Sequence, residues 1–199
     1  MLKELRPAIV MVILFTVLTG IGYPLAMTGI AQVLFPDQAN GSLLKNGDTV
    51  IGSALIGQVF TDAKYFHGRP SATNDTDPND STKTVDAPYN AANSMGSNLG
   101  PTSKALIDRV TADAEKLKAE NDKPIPVDLV TTSASGLDPD ITPAAAAFQI
   151  PRVAKARNLP EKALEDLVTK YTKSRTLGVL GEPRVNVLEL NLALDGLRP

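Results

Sequence analysis

The chain has 199 residues, a net charge of −2 and no cysteine, enough for one domain plus an extra element. The charge argues against nucleic-acid binding, which needs clustered cations to meet phosphates. The missing cysteines exclude disulfides, iron–sulfur clusters, thiolate zinc sites and cysteine nucleophiles. The single histidine, His67, excludes multi-histidine metal sites and leaves one candidate for a Ser–His–Asp triad.

From Ala8 to Phe35 no residue is charged. At ~1.5 Å per residue this run is roughly 42 Å long as a helix, more than the roughly 30 Å of a bilayer core. It predicts one transmembrane helix with some tilt. Gly20, Gly22, Pro24 and Gly29 lie inside it, which lipid tolerates because the backbone finds no other partner there. Thr19, Gly22, Ala26 and Gly29 make a stripe of small residues where a neighbouring helix could approach closely, although glycine and proline are common in membrane helices in any case. Lys3, Arg6 and the Gly29-Ile30-Ala31 triplet leave a cleavable signal peptide as an alternative, but the apolar run is about twice the usual h-region. Thr19-Gly20-Ile21-Gly22-Tyr23 looks like a potassium-filter loop. A filter dips between helices, whereas this stretch lies inside an uninterrupted apolar run, so the likeness is chance. Cations precede the run and Asp37 is the first charge after it. The positive-inside rule then places residues 1–7 in the cytoplasm, 8–35 in the membrane and 36–199 outside.

In the outer part, Thr49–Phe60 reads as extended, interrupted by Gly52 and Gly57. Residues 67–103 are rich in Asn, Asp, Ser, Thr, Gly and Pro and predict a long loop, of the kind that is functional or disordered. A helix follows over Pro101–Glu120, with Leu106, Val110, Ala114 and Leu117 on one face. Val127–Thr132 is a strand candidate. Thr142-Pro143 opens a helix toward Asn158, with a break or kink expected at Pro151. Pro160 opens another helix, burying Leu164, Leu167, Val168 and Tyr171. Leu188, Leu190, Leu192 and Leu194 alternate as in a strand. The fold class is α/β (α+β): a single N-terminal transmembrane helix followed by one mixed helix/strand domain.

Motifs for chemistry are sparse. Gly47-x4-Gly52-Ser53 has the spacing of a phosphate-cradling loop but lacks its lysine. The Asp-Lys-Thr-Gly-Thr stretch of phosphorylated ion pumps is missing. Asp75, Asp77, Asn79 and Asp86 fall at calcium-loop positions, but Asp80 replaces the turn glycine and the bidentate Glu is only an Asp, which favours a solvated acidic loop. His67 reads as a structural histidine more readily than a catalytic one, since spacing places no serine or carboxylate beside it. Arg152, Lys155, Arg157 and Arg184 read as a solvated basic face or as a docking surface for an acidic partner.

Several stretches carry a resemblance: Gly22-Tyr23-Pro24, Gln38-Ala39-Asn40-Gly41-Ser42, Gly52–Gln58, Tyr65–Ala72, Gly96–Leu99, Ser133–Leu137, Ala146–Leu159 and Val185–Asp195. In order and over nearly the whole chain, they resemble the C subunit of the Kdp potassium-transporting ATPase. Asn74–Pro88 departs from the pattern, like an insertion of variable content. The resemblance implies a non-catalytic subunit of the cell inner membrane. Its partners would be a pore-bearing potassium-channel-like subunit, a P-type subunit that hydrolyses ATP and, in some systems, a small single-helix subunit. It implies no cofactor of the chain's own. The family is also described as a catalytic chaperone that raises the pump subunit's ATP affinity, with ATP contacted at the level of the complex. Ser135, Gly136, Leu137 and Gln149 would carry such a contact; read from the residues, they are a turn followed by a helix with one satisfied amide. Contact with the pore subunit is expected from Tyr65, His67, Arg69, Asn90, Asn93, Ser94, Ser97 and Asn98. A membrane-tethered binding protein or hydrolase, built around His67 or the Asp75 loop, is the remaining alternative.

Overall fold

The computed structural model describes residues 2–196 and divides into two compact units, meeting between Leu43 and Leu44.

The first unit is one long helix. α1 (Leu2–Val17) passes into a π-helical turn at Leu18–Gly22 and continues as α2 (Tyr23–Leu34). The turn sits just before Pro24, whose ring would crowd the carbonyl four residues back in a regular helix. The Tyr23 N–H donates five residues back to Leu18 O instead. Thr19 Oγ1 donates to Phe15 O at 2.6 Å, so its hydroxyl is satisfied within the helix. Lys3–Leu34 spans 32 residues, and its most apolar 18-residue stretch has a mean hydropathy of 2.2 and no buried residue, so the helix is long and apolar enough to cross a membrane. The filter-like Thr19–Tyr23 is therefore helical. The π turn also offsets Thr19 from the line through Gly22, Ala26 and Gly29, because each residue there advances less around the axis. A short α3 (Pro36–Ala39) follows, held by reciprocal amide bonds between Gln32 and Asn40.

The second unit starts with a two-stranded ribbon, β1 (Leu43–Asn46) and β2 (Thr49–Ser53), turning at Gly47. Extended structure thus ends at Ser53, short of the expected Phe60. Residues 67–103 are not all loop: β3 (Asn74–Asp77) and β4 (Asp80–Asp86) pair antiparallel inside them, with Asp75 opposite Val85 and Asn74 opposite Asp86. Polar alternation on a solvated hairpin leaves no apolar period to read. α4 (Lys104–Glu120) starts three residues later than Pro101, and the expected face of Leu106, Val110, Ala114 and Leu117 is its half-buried one.

Val127–Thr132 is not a strand. A 3-10 turn covers Val127–Leu129, and Leu129 and Val130 are buried consecutively. Thr131 closes the turn by donating through both its N–H and its Oγ1 to Val127 O. After β5 (Asp140–Ile141), Thr142 caps α5 (Pro143–Arg157) by accepting from the Ala145 N–H. α5 runs unbroken through Pro151 and ends at Asn158 in the left-handed region. α6 (Glu161–Tyr171) buries Leu164 and Val168 and half-buries Leu167 and Tyr171, as expected. β6 (Thr172–Lys173) and β5 flank β7 (Arg184–Asn186) in an antiparallel three-stranded sheet.

The alternating leucines that follow are helical, in α7 (Val187–Leu194). Asn186 caps it by accepting from the Glu189 N–H. Leu188/Leu192 and Leu190/Leu194 also obey the i, i+4 rule, and burial on several faces hides the choice of period. α5, α6, α7 and β7 pack around Phe66, Phe148, Val153, Leu164, Val185 and Leu190, each at most 4% exposed.

Candidate functional site

The stretch Tyr65–Ala72 runs outside any sheet, yet Phe66 is fully buried. Buried peptide groups need partners, and two side-chain amides supply them. Asn191 on α7 accepts from the Phe66 N–H and donates to the Phe66 carbonyl, both at 2.9 Å. Gln149 on α5 accepts from the His67 N–H at 2.8 Å and donates to the His67 carbonyl at 3.1 Å. The two amides stand where a neighbouring strand would.

Arg152, one turn along α5, completes the floor. Its Nη2 donates to Gln149 Oε1 at 2.6 Å and its Nη1 to the carbonyls of Ala63 and Tyr65 at 2.7 and 3.0 Å. Its Nε lies 3.2 Å from Glu120 Oε2 at the end of α4. His67 Nε2 lies 3.1 Å from Asp62 O and 3.4 Å from Arg152 Nη1. Burial, reinforced by the Arg152 charge, holds the imidazole below its ordinary range.

The rest of the polar loop is fastened by its own side chains. Tyr89 OH donates to Arg69 O at 2.7 Å, and burial pushes that phenol up to about 12. Gly57 and Gly68 pack against the Tyr89 ring, where any Cβ would collide with it. Ser71 Oγ donates to Gly136 O and Thr73 Oγ1 to Ala87 O, at 2.8 and 2.6 Å. The side-chain amides of Asn90 and Asn93 donate to Asn74 O at 2.9 and 3.0 Å. Arg69 pairs with Asp138 at 3.1 Å.

Between this loop and α4 lies a groove of about 630 Å³, lined by His67, Arg69, Gln149 and Arg152 together with Arg109, Asp113 and Glu120 of α4. Arg69, Arg109 and Arg152 are each paired with a carboxylate, so the lining is close to charge-balanced.

Of the expected contact residues, the structure brings His67, Arg69 and Ser97 to this groove. Tyr65 turns away and donates to Asp195 Oδ2 at 2.7 Å. Asn90 and Asn93 hold the base of the β3–β4 hairpin, Ser94 is exposed and donates to Ser135 O, and Asn98 is exposed in the left-handed region. Ser135-Gly136-Leu137 forms a turn against the far end of the clamped segment. Gly136 has φ +69, and a Cβ there would collide with Thr73 and sit 2.6 Å from Met95 O. Gln149 bonds to His67 at the near end, with its amide fully used, so the four do not form one cluster.

The basic residues do not form a free face. Arg152 is placed as above, Arg157 pairs with Asp195 at 2.7 Å and Arg184 with Asp140 at 3.1 Å, while Lys155 on α5 is exposed. Among the described residues, no three carboxylate or imidazole groups converge to hold a metal ion. Asn191 and Asn186, whose amide donates to Ala54 O at 2.8 Å, were missed by the sequence reading. Their signal was two asparagines inside the mostly apolar run 185–194, interrupted otherwise only by Glu189.

These features define a membrane-associated chain with one N-terminal spanning helix and an α/β domain fastened by buried amides and arginines. Residues 5–196 match the family described as KdpC: K+-transporting ATPase, c chain. The chain is 70% identical over 196 residues to the potassium-transporting ATPase KdpC subunit of Bradyrhizobium diazoefficiens, covering 98% of both chains. It is 68% identical over 199 residues to that of Rhodopseudomonas palustris strain BisB18, covering 100% of both. With that of Methylobacterium nodulans it shares 65% over 198 residues, 99% of this chain and 98% of the relative. The chain belongs to the KdpC family, a subunit of the potassium-transporting ATPase.

Proposed function

We propose that the chain is a non-catalytic accessory subunit that assembles and stabilises the pore-bearing and ATP-hydrolysing subunits of the potassium-transporting ATPase. The small single-helix subunit is a further neighbour in the bilayer. The helix anchors the chain with its N-terminus in the cytoplasm of a cell whose inner membrane it spans. The globular unit works outside, and its 65–99 segment docks on the outer face of the pore subunit.

The observation that carries this reading is where the polar groups go. His67, Gln149, Arg152 and Arg69, the groups best suited to chemistry, each make contacts that hold one loop in place, and only the Nε atoms of Arg69 and Arg152 among their buried nitrogens lack a hydrogen bond. A loop fixed this firmly on a helical scaffold presents a preformed surface, which lowers the ordering cost of docking. In the competing reading the chain contacts ATP through Ser135, Gly136, Leu137 and Gln149. The split of these residues between the two ends of the segment weighs against it.

Two measurements test the reading. Replacing Asn90–Leu99 with a Gly/Ser linker is expected to release the chain from the pore subunit during purification in mild detergent. Calorimetry of the full chain with a non-hydrolysable ATP analogue is expected to give no saturable heat. Retention of the complex in the first, or saturable binding in the second, contradicts it.

A further inference from the structure

His67, the chain's single histidine, can change its charge near neutral pH, and it sits against a group that cannot. Its Nε2 lies 3.4 Å from Arg152 Nη1 and 3.1 Å from Asp62 O. A neutral ring suits both neighbours, because Nε2 either accepts from the guanidinium or donates to the carbonyl. An imidazolium suits only the carbonyl. Its charge then faces that of Arg152, whose side chain is only 13% exposed. The carboxylates around the ring already have cations. Glu120 on α4 lies 3.2 Å from Arg152 Nε, and Asp62 on the ring's own segment pairs with Lys64 at 3.5 Å. Elsewhere along the groove Asp113 is shared by Arg109 and Lys116, and Arg69 is paired with Asp138.

Arg152 is also what fastens the segment. Its Nη1 donates to the carbonyls of Ala63 and Tyr65, and its Nη2 to Gln149 Oε1, which in turn accepts from the His67 N–H. The segment lies outside any sheet and is exposed over residues 61–64, whereas α5 is packed into the core, so the segment is the side that yields. We propose that His67 is an acid-sensitive latch, whose protonation drives Arg152 off the Ala63 and Tyr65 carbonyls and loosens residues 63–68 from α5. Arg157 keeps its bond to Lys64 O and Tyr65 its bond to Asp195, so the opening is local. Burial and the Arg152 charge both hold the imidazole below its ordinary value. The latch is therefore closed above about pH 6.5 and opens as the pH falls below it. It belongs to the chain itself, whichever partner is docked. Only what it senses rests on the proposed orientation: with the domain outside, that is the pH of the medium, and the docking surface loses its preformed shape in acid.

The test is hydrogen exchange of the purified full chain, read by mass spectrometry at about pH 7.5 and about pH 5, on either side of the ordinary histidine range. Rates are corrected for the intrinsic pH dependence of exchange. Protection of peptides covering residues 63–68 is expected to fall roughly threefold or more at the lower pH, at labelling times when α5 and α6 are still protected. His67→Gln takes up no proton and is expected to be equally protected at both pH values. Arg152→Gln removes the donor to the two carbonyls and is expected to be loose at both. A wild-type segment equally protected at both pH values overturns the latch. So does an acid-induced loss that persists in His67→Gln, or an Arg152→Gln chain that loosens only in acid. With no partner subunit present, these outcomes are separate from the test of docking by Asn90–Leu99 replacement.

Discussion

Asn191 has the largest structural role that its surroundings conceal. It satisfies both polar groups of the buried Phe66 peptide while being only 1% exposed. Asn191→Leu keeps the volume and removes both bonds. A buried unsatisfied peptide group costs roughly 1–3 kcal/mol, so two should cost about 3 kcal/mol. In a chain of this size that lowers the melting temperature by roughly 10 °C. Calorimetry on the purified full chain checks it, and an unchanged transition would mean that the clamp contributes nothing. His67 gives a pH prediction. Its ordinary value near 6.5 applies to the unfolded chain and the folded value is lower, so over that interval the unfolded chain binds more protons. Stability is therefore full above about pH 6.5. It falls as the pH drops through that value toward the folded one, then levels. The groups facing the ring are Arg152, Glu120 and Asp62. His67→Asn should flatten this part of the melting-temperature profile, and a profile unchanged by the substitution would show that another group titrates there.

At the level of elements, the sequence was most readable where one period dominated. The α4 and α6 faces follow a 3.6 repeat, the apolar run is marked by its length and lack of charge, and all three appear where expected. It was least readable where burial is nearly complete or nearly absent. Leu188–Leu194 satisfies both a two-residue and a four-residue period, and the capping bond from Asn186 decides for helix. The polar hairpin has no apolar period at all. The site was legible as a segment, Tyr65–Leu99, but not as a structure, because the groups that hold it, Gln149 and Asn191, lie more than 80 residues away in the chain. The helix stripe adds a test. Gly22 closes the π turn and Ala26 lies on the regular turns after it, and added bulk at either blocks a close helix approach. Gly22→Leu or Ala26→Leu should leave the chain in the membrane fraction and reduce its recovery with partner subunits. Wild-type recovery of both variants would make the stripe incidental.

The whole molecule combines an apolar helix with a domain in which Arg69, Arg109, Arg152 and Arg157 are each paired with a carboxylate. Tethering keeps such a domain near its partners at high effective concentration, so modest contacts suffice for a lasting complex. The chain has no cysteine, which makes single thiols informative. Ser94 is exposed on the proposed docking loop, and its one side-chain bond, to Ser135 O, is at the surface. The most direct test of an outer domain docked on the pore subunit is therefore a Ser94→Cys chain in intact cells, treated with a membrane-impermeant thiol-reactive crosslinker. Reaction is expected without opening the cell, with an adduct to the pore-bearing subunit. A thiol that reacts only after the membrane is breached, or an adduct with the cytoplasmic domains of the ATP-hydrolysing subunit, would contradict it.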